Sequence, residues 1–140
     1  MSLAYYLLRK NKVVNEVINS PWIEGIEKYL HKCFENQTLA LVSATPKDEL
    51  VSILLKLDIH KYFKFIFGYP TTKEEAYKKI ITSTGIEKID IISIGDSISD
   101  YKSSISVGID FILRIDELKD EIPSWYNGKT ISNFICEQNL

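Results

Sequence analysis

Two aspartates follow a short apolar run in the second half of the chain. Residues 91–100 read IISIGDSISD, so Asp96 and Asp100 stand four residues apart with serines between them. If a helix starts directly after Gly95, Asp100 lies about one helical turn beyond Asp96. Two carboxylates placed in this way suit Mg²⁺, which takes one or two carboxylates together with waters and phosphate oxygens. Aspartate is also preferred at helix starts, so a capping role is the competing interpretation.

A hydroxyl and an ammonium group occupy two other places where a predicted strand gives way to a helix. Ser43 ends the apolar run TLALVS, and free backbone N–H groups at the next helix start would make this turn a phosphate cradle. Lys73 lies at the start of another predicted helix, where the helix dipole does not favour a cation, so a nearby anion would account for it. Taken singly, Ser43 fits an ordinary turn and Lys73 an ordinary solvated lysine. Their joint occurrence with the aspartates indicates a binding site.

The elements that would position these residues alternate along the chain. Apolar periodicity and capping signals predict helices over residues 3–18 and about 22–34, a strand over 38–43, a helix opening at Thr45-Pro46, a strand over about 64–68, a helix from Thr72 to Gly85, a strand over 89–94, a helix over 99–107 closed by Gly108, a strand over 110–115 and a helix over 130–137. This order predicts an α/β fold: a three-layer, Rossmann-like, mostly parallel sheet with helices on both faces. Ligands of such sheets bind at the carboxyl ends of the strands, where the candidate residues fall.

Composition narrows the classes of partner. The chain has 140 residues, which fits one domain, and a net charge of -2, which argues against a nucleic-acid binder. It contains no apolar run of the roughly 20 residues that span a bilayer, and its first ten residues lack the pattern of a signal peptide. Cys33 and Cys136 form no CxxC motif. We therefore expect a cytoplasmic protein whose partners are neither nucleic acids nor membranes.

Three segments resemble one family. LALVSATP, KEEAYKKI and IISIGDSISDYKSSISVGI resemble the second, third and fourth motifs of the haloacid dehalogenase-like hydrolases, nearest to the phosphoglycolate phosphatase and β-phosphoglucomutase type. The resemblance covers about residues 21–115. It implies a core domain over residues 21–140, preceded by a helical segment over residues 1–20 that would be a remnant of the family's cap.

The resemblance also implies a reaction and a role for each candidate residue. The family transfers phosphoryl groups of small phosphorylated metabolites through an aspartyl-phosphate, with Mg²⁺ as cofactor. Ser43 and the neighbouring Ala44 would bind the phosphoryl group, together with Lys73, which would also orient the nucleophile and so act in catalysis. Asp96 and Asp100 would hold Mg²⁺.

The family's first motif, a strand ending in D-x-D-x-T, is absent. The first aspartate of the chain is Asp48, beyond the serine motif, so no residue can be assigned as the nucleophile. In the family this strand lies in the middle of the sheet. The segment SLAYYLL (residues 2–8) has the length and the tyrosines of a strand that could take this place, but the apolar spacing from Leu3 onward favours a helix here. The predicted fold therefore lacks the central first-motif strand, which leaves backbone groups unpaired. A homodimer that pairs these open strand edges would satisfy them.

Several explanations fit this pattern. The chain is a fragment of a longer phosphatase whose nucleophile lies upstream, and is then inactive alone, or it is a degenerate member that binds Mg²⁺ and phosphorylated ligands, or a protein partner, without turnover. The joint presence of the four candidate residues favours the first. A receiver-like signalling domain ranks last, because it needs an acidic pair at its first strand.

Overall fold

The computed structural model of the chain describes residues 3–5, 26–33, 35–115 and 120–132. In this part the elements are β1 (Leu3–Tyr5), α1 (Ile26–Cys33), β2 (Thr38–Pro46), α2 (Lys47–Lys56), β3 (Phe65–Tyr69), α3 (Lys73–Thr84), β4 (Ile91–Gly95), α4 (Ile98–Val107), β5 (Asp110–Arg114) and β6 (Thr130–Ile131). Short 3₁₀ helices at His60–Tyr62 and Lys88–Asp90 precede β3 and β4. None of the helices in these ranges has the length and hydropathy needed to cross a membrane.

The described strands form one parallel sheet in the order β3-β2-β1-β4-β5-β6. Parallel strands need crossover connections, and α1 to α4 lie in the connections between consecutive strands from β1 to β5. This arrangement confirms the predicted α/β, Rossmann-like class. It also brings the carboxyl ends of all six described strands to one edge of the sheet, which is called the carboxyl edge below.

Alternating side chains divide the core between the two faces of the sheet. Leu39 and Leu41 of β2 share one buried cluster with residues of α1 and α2. Ala40 and Val42 share a second cluster with residues of α3 and α4. Because successive strand residues point to opposite faces, the continuous apolar run in β2 is what a strand covered on both sides requires.

A strand occupies the central position of the sheet, so the predicted helix at Leu3 and the predicted gap in the sheet are both wrong. Leu3–Tyr5 is the strand β1, not the start of a helix, and it lies between β2 and β4. Tyr5 pairs with Ala40 of β2 and with Ser93 of β4. A strand with a hydrogen-bonded neighbour on each side gains pairing on both edges, which overrides the helical spacing of the local sequence. The rest of the predicted helical segment over residues 1–20 lies outside the described residues.

The expected gap in the sheet therefore does not exist. β2 and β4 each pair with β1, so the reason given above for a homodimer disappears. The other correction concerns the end of the chain, where residues 130–137 were expected to be helical. Thr130–Ile131 instead forms β6, because Ile131 is buried in the core and the Ile115 N–H donates to the Ile131 carbonyl at 2.9 Å. Residues 133–140 lie outside the described part.

Most helix boundaries follow the sequence signals. Thr72 and Glu75 form the predicted capping box of α3, and the helix stops at Gly85, whose φ of 66° is left-handed. Gly108 closes α4 with a φ of 84°. The predicted cap at Thr45 is wrong: β2 continues through Pro46, which occupies the N-cap position of α2 without a side-chain hydrogen bond.

Candidate functional site

Lys73 and Asp100 form a buried ion pair at the carboxyl edge. The Lys73 ammonium donates to Asp100 Oδ1, and the two side chains are 14% and 0% exposed. Lys73 is the first residue of α3 and Asp100 belongs to the first turn of α4, so the pair joins two helices across 27 residues of sequence. The anion that accounts for a lysine at this helix start is therefore supplied by the protein itself.

The second carboxylate oxygen of Asp100 is equally engaged. Asp100 Oδ2 accepts from the backbone N–H of Asp96 and of Ser97, both at 3.1 Å, and from the Ser97 hydroxyl at 2.8 Å. The Asp100 N–H in turn donates to Ser97 Oγ, which completes a capping box at the start of α4. The capping interpretation of Asp100 is thus correct, and it holds together with the ion pair.

Gly95 makes this arrangement possible. A Cβ atom at position 95 would lie 2.5–2.6 Å from the Asp100 side chain, closer than atoms can approach. The requirement at Gly95 is therefore for space, since the carboxylate folds directly back onto the end of β4. Gly95 therefore has a structural role, because the absence of a side chain leaves room for the Asp100 carboxylate.

A buried hydrogen-bond network of residues from α3, β4 and α4 lies next to the ion pair. The hydroxyls of Tyr77 and Ser93 lie 2.9 Å apart, and the Ser104 hydroxyl donates to the backbone carbonyl of Asp100 at 2.8 Å. Burial raises the pKa of Tyr77 well above its ordinary range; the Asp100 charge adds to the rise, and hydrogen bonding to Ser93 and Ser104 opposes it. Tyr77 follows Lys73 by four residues and Ser104 follows Asp100 by four, so each helix presents both of its residues on one face.

Ser43 lies apart from this network. It is 5% exposed, and its hydroxyl donates to Thr45 Oγ1 and accepts from the Thr45 N–H, both at 3.1 Å. The pairing of β2 with β3 is irregular between Val42 and Pro46, and Ala44 is exposed. Residues 43–46 are the irregular end of β2, and we call them the Ser43 turn. One of the N–H groups expected to cradle phosphate is thus occupied by Ser43 itself.

Sheet register gives the relation between Ser43 and Asp96. Ala40 and Ser93 both pair with Tyr5 and so lie at one level of the sheet, and Ser43 and Asp96 each follow three residues later, toward the carboxyl edge. At the level of Tyr5, β2 and β4 are separated by two strand spacings, or roughly 10 Å. Asp96 is exposed. The described residues contain no group of three or more His, Cys, Asp or Glu side chains that could hold a metal ion.

The structure thus joins Lys73 to Asp100 and holds the Asp96 N–H against Asp100, whereas Ser43 belongs to β2, on the other side of β1. Sequence reasoning missed two kinds of partner. Ser97 could have been found from the S-x-x-D spacing of a capping box. Tyr77 and Ser104 carry only an i, i+4 spacing, which many helical residues share, and Ser93 looks like any strand residue.

Comparison with known proteins identifies the family. The model of the haloacid dehalogenase-like hydrolases matches residues 3–114 of the chain, including β1 and all four candidate residues. This match covers well over half of the chain, which therefore belongs to the haloacid dehalogenase-like hydrolases. The expected family membership is confirmed. No curated protein matches the chain.

Solved structures of this superfamily share the fold. A hydrolase from Ehrlichia chaffeensis is 25% identical, with a TM-score of 0.68 over 86% of this chain and 60% of its own. YfnB from Bacillus subtilis, bound to magnesium, is 17% identical, with a TM-score of 0.72 over 86% of this chain and 57% of its own. A predicted phosphoglycolate phosphatase from Haemophilus somnus is 16% identical, with a TM-score of 0.74 over 86% of this chain and 58% of its own. The chain thus spans between half and two thirds of the length of these relatives.

Proposed function

We propose that this chain binds Mg²⁺ and the phosphoryl group of a small phosphorylated metabolite at the carboxyl edge, and that it does not itself form an aspartyl-phosphate. The observation that carries the proposal is the buried Lys73–Asp100 pair beside the exposed Asp96. Together they provide a fixed cation and an accessible carboxylate at the edge where parallel sheets bind ligands. We place this binding in the cytoplasm, on the cysteine pattern.

Asp96 and Asp100 differ in how freely their carboxylates could bind Mg²⁺. Asp96 is exposed, and its backbone N–H is held by Asp100 at 3.1 Å, so a carboxylate is available at a fixed point of the chain. Both oxygens of Asp100 are already engaged by protein donors. Asp96 would therefore hold the ion directly, and Asp100 would position Asp96. Bound Mg²⁺ would neutralise charge on the phosphate oxygens, and one carboxylate with waters and phosphate is an ordinary set of ligands for it.

The lack of turnover follows from the sequence of the central strand. β1 occupies the place where the family carries its nucleophile, but residues 6–10, which follow it, are Tyr-Leu-Leu-Arg-Lys. None of these side chains is a carboxylate, so the covalent route has no acceptor for the phosphoryl group.

Calorimetry tests the metal half of the site. We expect Mg²⁺ to bind the wild type and to bind Asp96→Asn at least tenfold more weakly, because the substitution removes the charged ligand. Asp90→Asn is the matched control, since Asp90 is an exposed aspartate at the opposite end of β4. Equal Mg²⁺ affinity in the wild type and Asp96→Asn would refute the metal site.

Phosphate binding and turnover complete the test. ³¹P NMR titration with inorganic phosphate and Mg²⁺ should show weakened binding in Lys73→Ala and unchanged binding in Lys78→Ala, an exposed lysine of the same helix. The titrations are made at a temperature where circular dichroism shows both variants folded. Hydrolysis of p-nitrophenyl phosphate should stay near background. Robust Mg²⁺-dependent turnover would show that this chain has a nucleophile after all.

A further inference from the structure

A cavity lies at the amino edge of the sheet, which is the edge opposite to the carboxyl edge. It has a volume of about 270 Å³ and is bordered by the turn between α1 and β2, the beginning of β2, and the 3₁₀ helix and the residues that lead into β3. Leu39 in its lining precedes Ser43 by four residues on β2, so roughly 13 Å of strand separate the cavity from the Ser43 turn. The cavity is therefore distinct from the candidate site at the carboxyl edge.

One group in the lining is a buried hydrogen-bond acceptor without a donor. Gln37 Oε1 is buried and makes no hydrogen bond with any group of the described residues. A buried polar atom that lacks a partner destabilises the folded chain, because it has lost water and gained nothing in exchange. A ligand that brings an N–H or O–H donor into the cavity would remove this cost.

Two opposite charges in the lining are also unpaired. The Glu35 carboxylate and the Lys64 ammonium are exposed, and neither belongs to an ion pair within the described ranges. The Lys64 N–H donates to the Leu39 carbonyl at 2.9 Å, which fixes this part of the lining against β2. The other cation of the lining, Lys61, is paired with Asp58 at 3.1 Å. The cavity thus offers a carboxylate, an ammonium group and an amide oxygen to a ligand.

This set of groups is complementary to a small zwitterion. A ligand's ammonium group has three N–H donors and can serve both the Glu35 carboxylate and Gln37 Oε1, while its carboxylate accepts from Lys64. The apolar residues of the lining, Leu39 and Phe63, are 0% and 7% exposed, so they offer little surface to a long side chain. The volume also lies just below the roughly 300–1,000 Å³ of sites for drug-sized ligands. These features favour a ligand of the size of a small amino acid.

We propose that this cavity binds a small free α-amino acid, with its ammonium group toward Glu35 and Gln37 and its carboxylate toward Lys64. A simple amine lacks the group that Lys64 binds, and a simple carboxylate lacks the group that the two oxygen acceptors bind. The inference does not rest on the proposed function, because it uses no residue of the carboxyl edge.

NMR titration of the ¹⁵N-labelled full chain tests the inference. The probes are L-alanine, L-serine and L-valine, together with propionate and ethylammonium, which each lack one charged group of alanine. We expect at least one amino acid to bind with a dissociation constant of about 1 mM or lower and to shift the amide resonances of residues 35–39 and 61–64. Propionate and ethylammonium should bind at least about tenfold more weakly than that amino acid.

Variants of the lining separate a role in binding from a role in the fold. Glu35→Gln, Gln37→Leu and Lys64→Gln should each weaken binding of the amino acid at least about fivefold. Lys88→Gln is the control and should bind like the wild type, since Lys88 is an exposed lysine before β4, outside the lining. Gln37→Leu removes an acceptor that has no partner among the described residues, so its urea midpoint should stay the same or rise while binding weakens.

Several results would overturn the inference. One is the absence of any shift with all three amino acids at about 20 mM, well above the expected dissociation constant. Shifts centred on residues 43–46 and 96–100 would assign the amino acid to the carboxyl edge instead. Propionate or ethylammonium binding as tightly as the amino acid would show that a single charge is recognised. A lower urea midpoint in Gln37→Leu, with unchanged binding, would assign the amide to the fold.

Failure of this inference and failure of the proposed function give different results. The proposed function is tested with Mg²⁺ and phosphate at Asp96 and Lys73, and none of the variants of the cavity changes those residues. If the amino acids do not bind and the Mg²⁺ and phosphate titrations behave as expected, only the inference about the cavity is wrong.

Discussion

The two sides of the candidate site are built differently. On the α3–α4 side, the Lys73–Asp100 pair rests on the buried hydroxyls of Tyr77, Ser93 and Ser104. On the β2 side, the Ser43 turn is held by two hydrogen bonds between Ser43 and Thr45, at a point where the strand pairing is irregular. The charged half is therefore part of the core, whereas the hydroxyl half is a local turn. We expect ligand binding to reorganise the Ser43 turn and leave the ion pair in place.

The largest loss of stability should come from breaking the Lys73–Asp100 ion pair. Lys73→Met leaves the fully buried carboxylate of Asp100 without its cation, which should lower the free energy of unfolding by about 3 kcal/mol. Urea denaturation measures this change, with Lys78→Met as the control for an exposed lysine of the same helix. If both variants lose less than about 1 kcal/mol, the ion pair does not stabilise the α3–α4 side of the site.

Two glycines allow each side to be disturbed separately. Gly95→Ala would push the Asp100 carboxylate away, and Gly68→Ala would place a Cβ 2.6 Å from the Thr45 carbonyl, which belongs to the Ser43 turn. We expect each to cost about 2 kcal/mol of stability, as overpacking usually does. Gly95→Ala should mainly weaken Mg²⁺ binding, and Gly68→Ala should mainly weaken phosphate binding. Calorimetric titrations that show the same loss in both variants would contradict the division into two sides.

A smaller loss of stability is expected when the hydrogen-bond network next to the ion pair is broken. Tyr77→Phe removes the hydrogen bond to Ser93 and should cost about 1 kcal/mol at neutral pH. Because burial raises the pKa of folded Tyr77, the unfolded chain releases this proton first, and the wild type should lose stability as the pH rises above 10. The variant lacks this group, so its disadvantage should shrink between pH 10 and 11. A constant difference in urea midpoint over this interval would argue against the buried phenol.

The smallest effect on stability should come from Ser43. Ser43→Ala removes a local hydroxyl that bonds only within its own turn, so the free energy of unfolding should fall by less than about 1 kcal/mol. Its effect on phosphate affinity, measured by ³¹P NMR, should exceed its effect on the urea midpoint when both are expressed as free energies. Ser52→Ala, in the half-buried part of α2, is the matched control. A loss of stability well above 1 kcal/mol would show that the Ser43 hydroxyl supports the fold beyond its own turn.

The sequence by itself determined what depends on near neighbours in the chain. The capping box at Thr72 and Glu75 and the helix stops at Gly85 and Gly108 lie within a few residues of the groups they satisfy, so they could be predicted. The alternation of strands and helices indicated the parallel sheet for the same reason. The absence of an aspartate before Asp48, on which the expected lack of a nucleophile rests, is also a property of the sequence alone.

The tertiary structure decided what depends on distant partners. Leu3–Tyr5 and Thr130–Ile131 are strands because neighbours far away in the chain pair with them, and local periodicity pointed to helices in both places. The partner of Lys73 likewise appears only when α3 and α4 are assembled. Pairing and register between segments follow from the energy of the whole sheet, which no short window of sequence contains.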